Sequence, residues 1–286
     1  MFVIRMRTVL LYLFLLAVIM MTAQYAGGGQ ELPVSGKVGG KELPILMYHG
    51  ICEKDSDASK FVISVRMLKD DLKYLKENGY QTVTVKDVIA YVKGEEDLPE
   101  KPVMLTFDDG NYNNYYYGFP LLKEYEMKAV ISIIGKYTDL FTQKPDENPT
   151  YSNLNWAQVK EMMDSGLVEF QNHSYNLHEN KGARNGAKKR LGESDEAYEK
   201  VLREDLGLLQ QEMQEHTGYT PTTFVYPFGG ISQASVKILK DMGFQVTLSC
   251  EEKNNYLTVG DTECLTMMNR FLRSDQASAR AILEKL

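Results

Sequence analysis

The chain has 286 residues, 43% hydrophobic and 25% charged, which is the make-up of an ordinary globular protein and excludes intrinsic disorder and collagen-like structure. A formal net charge of −7 argues against a nucleic-acid binder, which would present a basic surface, and leaves neutral or cationic polymers open as substrates. Three cysteines make no disulfide framework; Cys250 and Cys264 can form one pair, with Cys52 left over.

In chain order, Arg5 and Arg7 precede an uncharged apolar run from Val9 to about Ala23. A basic flank before such a run reads as an export segment. It is shorter than the roughly 20 residues that comfortably span a bilayer. No clear small-residue cleavage site follows, so residues 1–26 are expected to be either a signal peptide or a retained membrane anchor. Six glycines between Gly27 and Gly40 make residues 27–40 a flexible linker. The folded domain is therefore expected over residues 41–286, outside the cytoplasm, secreted or anchored at the membrane.

From there short apolar runs alternate with helical periodicity. Strands are expected at 44–48, 82–85, 103–107, 129–134, 167–171, 222–226 and 245–249. Helices are expected at 66–78, 155–165, 194–217, 232–242 and 274–285, with Gly79, Gly166, Gly218 and Gly243 as stops. Residues 136–154 and 179–193 read as long loops, the second basic and able to serve as a lid over an extended substrate or simply as a solvated segment. Strand–helix alternation implies a mainly parallel sheet covered by helices, here a complete or distorted α/β barrel. Reactive groups in that architecture gather at the C-terminal ends of the strands.

Several expected strands do end in polar residues. Residues 103–110 read VMLTFDDG, an apolar strand running into Asp108 and Asp109. Adjacent side chains on a strand point to opposite faces, so two useful carboxylates require the chain to turn there, which Gly110 permits. Residues 168–178 read VEFQNHSYNLH, placing two of the four histidines, His173 and His178, five residues apart at a strand end. Neutral imidazoles with one carboxylate make an open metal site. Residues 222–230 read TTFVYPFGG, where Pro227 and Gly229 shape a turn that can aim a backbone N–H into a cavity. Residues 43–50, LPILMYHG, put His49 at the end of the first strand; residues 267–273, MMNRFLR, put Arg270 and Arg273 after a short apolar run.

TFDDG, then HSYNLH, then YPFG resembles the polysaccharide deacetylases, the NodB-homology or carbohydrate esterase type, over roughly residues 43–286. The resemblance implies a distorted (β/α) barrel of about seven parallel strands. It also implies removal of acetyl groups from N- or O-acetylated sugars with a divalent metal, usually zinc, with cobalt, nickel or iron as alternatives. By that resemblance Asp108 is the general base. Asp109, His173 and His178 are the metal ligands, and a backbone N–H near Tyr226, Pro227 and Phe228 holds the oxyanion. Three departures stand out. The histidine spacing is five rather than four, which with MYH near the start looks like the poly-N-acetylglucosamine deacetylase branch. Val225 stands where the family carries an Arg that orients the base, and Arg270 is the candidate substitute. The late Leu-x-His motif that supplies the general acid is missing, which leaves His49, another group or water to protonate the leaving amine. The implied substrate is an N-acetylglucosamine polysaccharide, either poly-N-acetylglucosamine or peptidoglycan strands. An O-acetyl esterase and a low-turnover carbohydrate-binding protein are the other readings. No nucleic-acid partner is expected.

Overall fold

The alternating apolar runs close into a ring of parallel strands. The computed structural model of the protein describes residues 40–181 and 184–286. The expected leader and nearly all of the expected linker lie outside the described residues. Among those residues, no helix is long and apolar enough to cross a membrane. The sheet strands are β1 (Ile45–Tyr48), β2 (Gln81–Thr82), β3 (Pro102–Phe107), β4 (Ala129–Ile133), β5 (Val168–Asn172), β6 (Thr223–Val225), β7 (Val246–Leu248) and β8 (Phe271–Leu272). Their order is β7-β6-β5-β4-β3-β1-β8, with β2 paired to the start of β3, and every pairing is parallel. The last segment closes the ring: Met268 bridges Leu248 of β7, and three residues later Phe271 pairs with Leu46 of β1. Helices α1 (Val65–Glu77), α2 (Val85–Val92), α3 (Phe119–Tyr125), α4 (Gly135–Gln143), α5 (Trp156–Asp164), α6 (Asp195–Thr217), α7 (Gln233–Asp241) and α8 (Ala279–Leu283) complete the alternation.

Period-two alternation sorts each strand into two faces. One set (Leu46, Tyr48, Val103, Leu105, Phe107, Ala129, Ile131, Ile133) shares a core with side chains of α1, α3, α5 and α6. The other face begins apolar, with Ile45, Met104, Val130, Val225 and Val246 in one cluster. Two residues further along the same face it turns polar: Thr106, Ser132 and Gln171 are buried there, followed by Asp108 and His173. The strands thus carry a dry plug at one end and chemistry at the other.

Several elements differ from expectation. Residues 82–85 do not stay extended, because Thr84 caps α2 in a capping box with Asp87. The expected loop at 136–154 begins with α4, and the helix expected over 274–285 is confined to α8, capped by Ser278. The seventh strand of the ring is β8, too short for a periodicity signal, while residues 81–82 sit off the main path. Cys250 and Cys264 are both free thiols. Within the 179–193 segment Asn180–Lys181 pairs antiparallel with Arg184–Asn185.

A buried ion pair locks the closing segment to the barrel. Arg273 Nε donates to Asp71 Oδ2 on α1 at 2.5 Å, and Asp71 also accepts from the Tyr48 hydroxyl (3.2 Å) and the Ala279 amide (3.0 Å). Both charged side chains are almost fully buried, so removing one strands the other. We expect Arg273→Met to lower the unfolding free energy by about 3–5 kcal/mol in denaturant titration; a loss below 1 kcal/mol would show the pair to be dispensable.

Candidate metal and catalytic centre

The strand ends of the polar face converge on one cleft of about 420 Å³, lined among others by His49, Asp108, Asp109, His173, His178, Phe228 and Cys250. The DDG sequence resolves its own geometric difficulty. Asp108 continues the inward face of β3, and Asp109 then adopts a left-handed φ of 74°, followed by Gly110 at 67°. That turn swings the second carboxylate into the same cleft instead of into the core. Gly110 is required twice over, since a Cβ there would lie 2.8 Å from Ile133 Cγ2.

Asp108 is held on both oxygens. Arg270 Nη1 donates to Oδ1 at 2.8 Å and Nη2 to Oδ2 at 2.9 Å, while the Ser132 hydroxyl donates to Oδ1 at 2.9 Å. Arg270 is wholly buried and is itself fixed by Nε donating to the Ser249 carbonyl (2.8 Å) and by Thr106 Oγ1 (3.3 Å). Burial alone would push the Asp108 carboxyl up; the Arg270 guanidinium outweighs it and holds the carboxyl well below the usual range. Arg270 therefore stands where Val225 left the motif without a cation. His49 Nε2 lies 3.9 Å from Asp108 Oδ2, and burial lowers the ring's pKa, which favours its neutral form. Asn114 fixes this histidine's backbone by donating to its carbonyl at 2.8 Å.

Asp109, His173 and His178 meet around one point, their ligand atoms all within 4.8 Å of one another. His173 Nδ1 lies 2.8 Å from the Val225 carbonyl, which can only accept, so Nδ1 carries a proton. Its Nε2 then faces Asp109 Oδ1 at 3.5 Å, and His178 Nε2 faces the same oxygen at 3.1 Å. Asp109 Oδ1 is buried with no hydrogen-bond donor. Two ring nitrogens thus converge on one buried carboxylate oxygen, an arrangement that favours positive charge at that point. A divalent cation meets that need, and one carboxylate with two imidazoles is a donor set suited to zinc and its first-row neighbours, with positions left open. The residues fit such an ion.

The oxyanion trio is placed less evenly. The Tyr226 N–H donates to the Leu248 carbonyl at 3.1 Å and is thus committed to the sheet. Pro227 has no N–H. Of the three expected residues this leaves Phe228, whose backbone turns left-handed at φ 56° and whose ring packs on His178 at 4.3 Å. Sequence reasoning missed Ser132, although a lone serine at an inward position of AVISI was the available signal. It also missed Phe61, which lies 5.0 Å from the His49 ring; Phe61 and Phe228 are each 47% exposed at the cleft. A second group, Asp139, Glu212 and His216, has metal-like spacing, but both Asp139 oxygens are taken, by Trp156 Nε1 (2.7 Å) and the Tyr175 hydroxyl (2.9 Å).

Comparison with known proteins gives a consistent set of similarities. The polysaccharide deacetylase family model matches residues 95–247. A poly-beta-1,6-N-acetyl-D-glucosamine N-deacetylase of Escherichia coli is 27% identical over 226 residues, covering 72% of this chain and 33% of that protein. The chain thus spans about a third of the length of that relative. Among solved structures, a de-N-acetylase from Aggregatibacter actinomycetemcomitans matches with TM-score 0.73 and 26% identity over 86% of this chain and 100% of that one. IcaB from Ammonifex degensii matches with TM-score 0.68 and 27% identity over 86% and 97%.

The loop between the two histidines is braced from α6. Asp205 accepts from the amides of Tyr175 and Asn176, both at 2.9 Å. Burial nonetheless pushes its carboxyl up to about 6 from 3.8. The folded protein binds this proton more tightly than the unfolded chain, so the stability from Asp205 is full below about 4 and is lost as pH rises through about 6. Unfolding free energies across that window should fall less steeply in Asp205→Asn than in the parent protein; identical slopes would rule out Asp205 as their source.

Proposed function

The chain belongs to the polysaccharide deacetylase family, and from that membership and the Asp109–His173–His178 geometry we propose that it removes acetyl groups from an N-acetylglucosamine polysaccharide. The observation that carries this reading is one cleft holding an ion-demanding ligand trio beside a buried, doubly anchored Asp108. A divalent ion bound there supplies Lewis-acid polarisation of the acetyl carbonyl and lowers the pKa of water. Asp108 accepts the proton of the attacking water. Arg270 and Ser132 occupy three of its hydrogen-bonding positions and fix the plane of the carboxylate, so the lone pair left over is aimed rather than free to rotate. His49, 3.9 Å from Asp108 at the same cleft, is the group assigned to protonate the leaving amine. The Phe228 N–H is the donor assigned to the developing oxyanion.

The exposed rings of Phe61 and Phe228 offer flat apolar faces to sugar units on either side of the reacting acetyl. The names of the E. coli relative and of the Aggregatibacter structure support N-deacetylation over O-deacetylation. A low-turnover binding protein loses one of its grounds, because Arg270 supplies the cation that Val225 does not. The basic flank and apolar run of residues 5–23 support action outside the cytoplasm. Zinc is the proposed ion.

The test is acetate release from N-acetylated and O-acetylated glycans, with metal added back after chelation. Asp108→Asn should retain metal and lose about 10²–10⁴-fold in kcat. His173→Ala and His178→Ala should each lose metal by elemental analysis. Unchanged turnover in the first, or unchanged metal in both of the others, would overturn these roles.

A further inference from the structure

The placement of the Phe228 N–H depends on the turn Pro227–Gly230, and a second stretch of backbone is packed directly against that turn. A Cβ on Gly186, which has φ 55°, would lie 2.6 Å from the Pro227 carbonyl oxygen. A Cβ on Gly230 would lie 2.5 Å from the Asn185 carbonyl oxygen. The contact is reciprocal and lacks a side chain on either glycine, so no rotamer change can relieve an intrusion there.

The stretch that makes this contact leaves the metal site immediately after His178. It is held from behind. Buried Arg184 donates Nη1 to the Lys188 carbonyl at 2.9 Å and Nη2 to Glu193, whose other oxygen accepts the Arg190 amide at 2.9 Å. The Tyr198 hydroxyl on α6 donates to the Ala187 carbonyl at 2.7 Å, and the Lys189 amide donates to Ser232 Oγ, just past the turn, at 3.0 Å. A solvated loop needs none of these bonds, and a lid would have to break them to open.

We infer that the segment Arg184–Glu193 is a positioning strut: Gly186 bears on the Pro227–Gly230 turn, the Arg184–Glu193 pair stiffens the strut, and together they set the distance between the Phe228 N–H and the ligand trio. This rests on the deacetylase reading of Phe228. Arg184, Gly186 and Glu193 touch no substrate; they act through the turn.

Gly186→Ala tests it. The variant should keep its metal and unfold cooperatively, with any rise in KM for an N-acetylglucosamine oligomer smaller than the fall in kcat. Its kcat should fall about tenfold or more, with a matching loss of affinity for a methylphosphonamidate analogue of the tetrahedral intermediate. In ¹⁵N-labelled protein the Phe228 amide should shift and exchange faster, a readout independent of turnover. Arg184→Met should move every readout the same way, and Arg184→Lys should recover part of the loss, which covers the case of a poorly folded Gly186→Ala. A folded, metal-loaded Gly186→Ala with parental kcat and an unmoved Phe228 amide overturns the inference, as does a loss confined to KM or to metal content. Parental protein assayed alongside reports separately on the deacetylase reading: if it releases no acetate while the Phe228 amide still moves, that reading fails and the strut stands.

Discussion

A wholly buried guanidinium paired with a wholly buried carboxylate sets the terms for the rest of this barrel. Taking both Arg270 and Asp108 out of water is expensive, and such a pair is tolerated only when its geometry is good and its remaining hydrogen bonds are met. Here they are. Arg270 meets Asp108 through two donors, reaches the Ser249 carbonyl and Thr106, and Asp108 takes a further bond from Ser132. The inward face of the strands must therefore be polar at this end, which the alternation after Met104 and Val130 provides. The charge arrangement also keeps Asp108 ionised despite its burial.

Once that pair is in place, the two neighbouring carboxylates have different work because they have different backbones. Asp108 directly follows β3 and keeps its inward direction. Asp109 lies one residue beyond, in a left-handed conformation, and faces two imidazoles instead of a guanidinium. Local strain at Asp109 is offset by the bonds around it, including Asn153 Nδ2 donating to the Asp109 carbonyl at 3.0 Å. One dipeptide thus yields a base that is held in an ion pair and a ligand that calls for a cation.

Two of the groups that complete the centre come from outside the stretch that matches the family model. His49 precedes it, directly after β1, and Arg270 follows it on the closing segment. The absence of an arginine at Val225, beside Tyr226, is made good by Arg270, just before β8 and 45 residues further along the chain. That substitution is possible because Met268 pairs with β7 and Phe271 with β1, so the segment between them, with Arg270, closes the barrel wall. The same closure brings Arg273 to Asp71 and ties the last helix to the first.

The amino-acid sequence by itself determined the parallel α/β alternation, the strand ends at Asp108, Asp109 and His173, and the candidacy of His178, His49 and Arg270. Each of these is a local pattern: an apolar run, its length, and the polar residues that stop it. It misjudged α2 and α4, where a capping box or a short amphipathic stretch overrode the apparent strand or loop. It also gave equal weight to Tyr226, Pro227 and Phe228, because nothing in YPFG states which N–H the sheet will consume. Tertiary structure alone decided that Leu248 takes the Tyr226 N–H, that Arg270 rather than Arg273 reaches Asp108, and that Gly186 meets Pro227. Those outcomes depend on which strands become neighbours when the ring closes. Pairing between segments far apart in the chain is a property of the closed barrel, not of any window of residues within it.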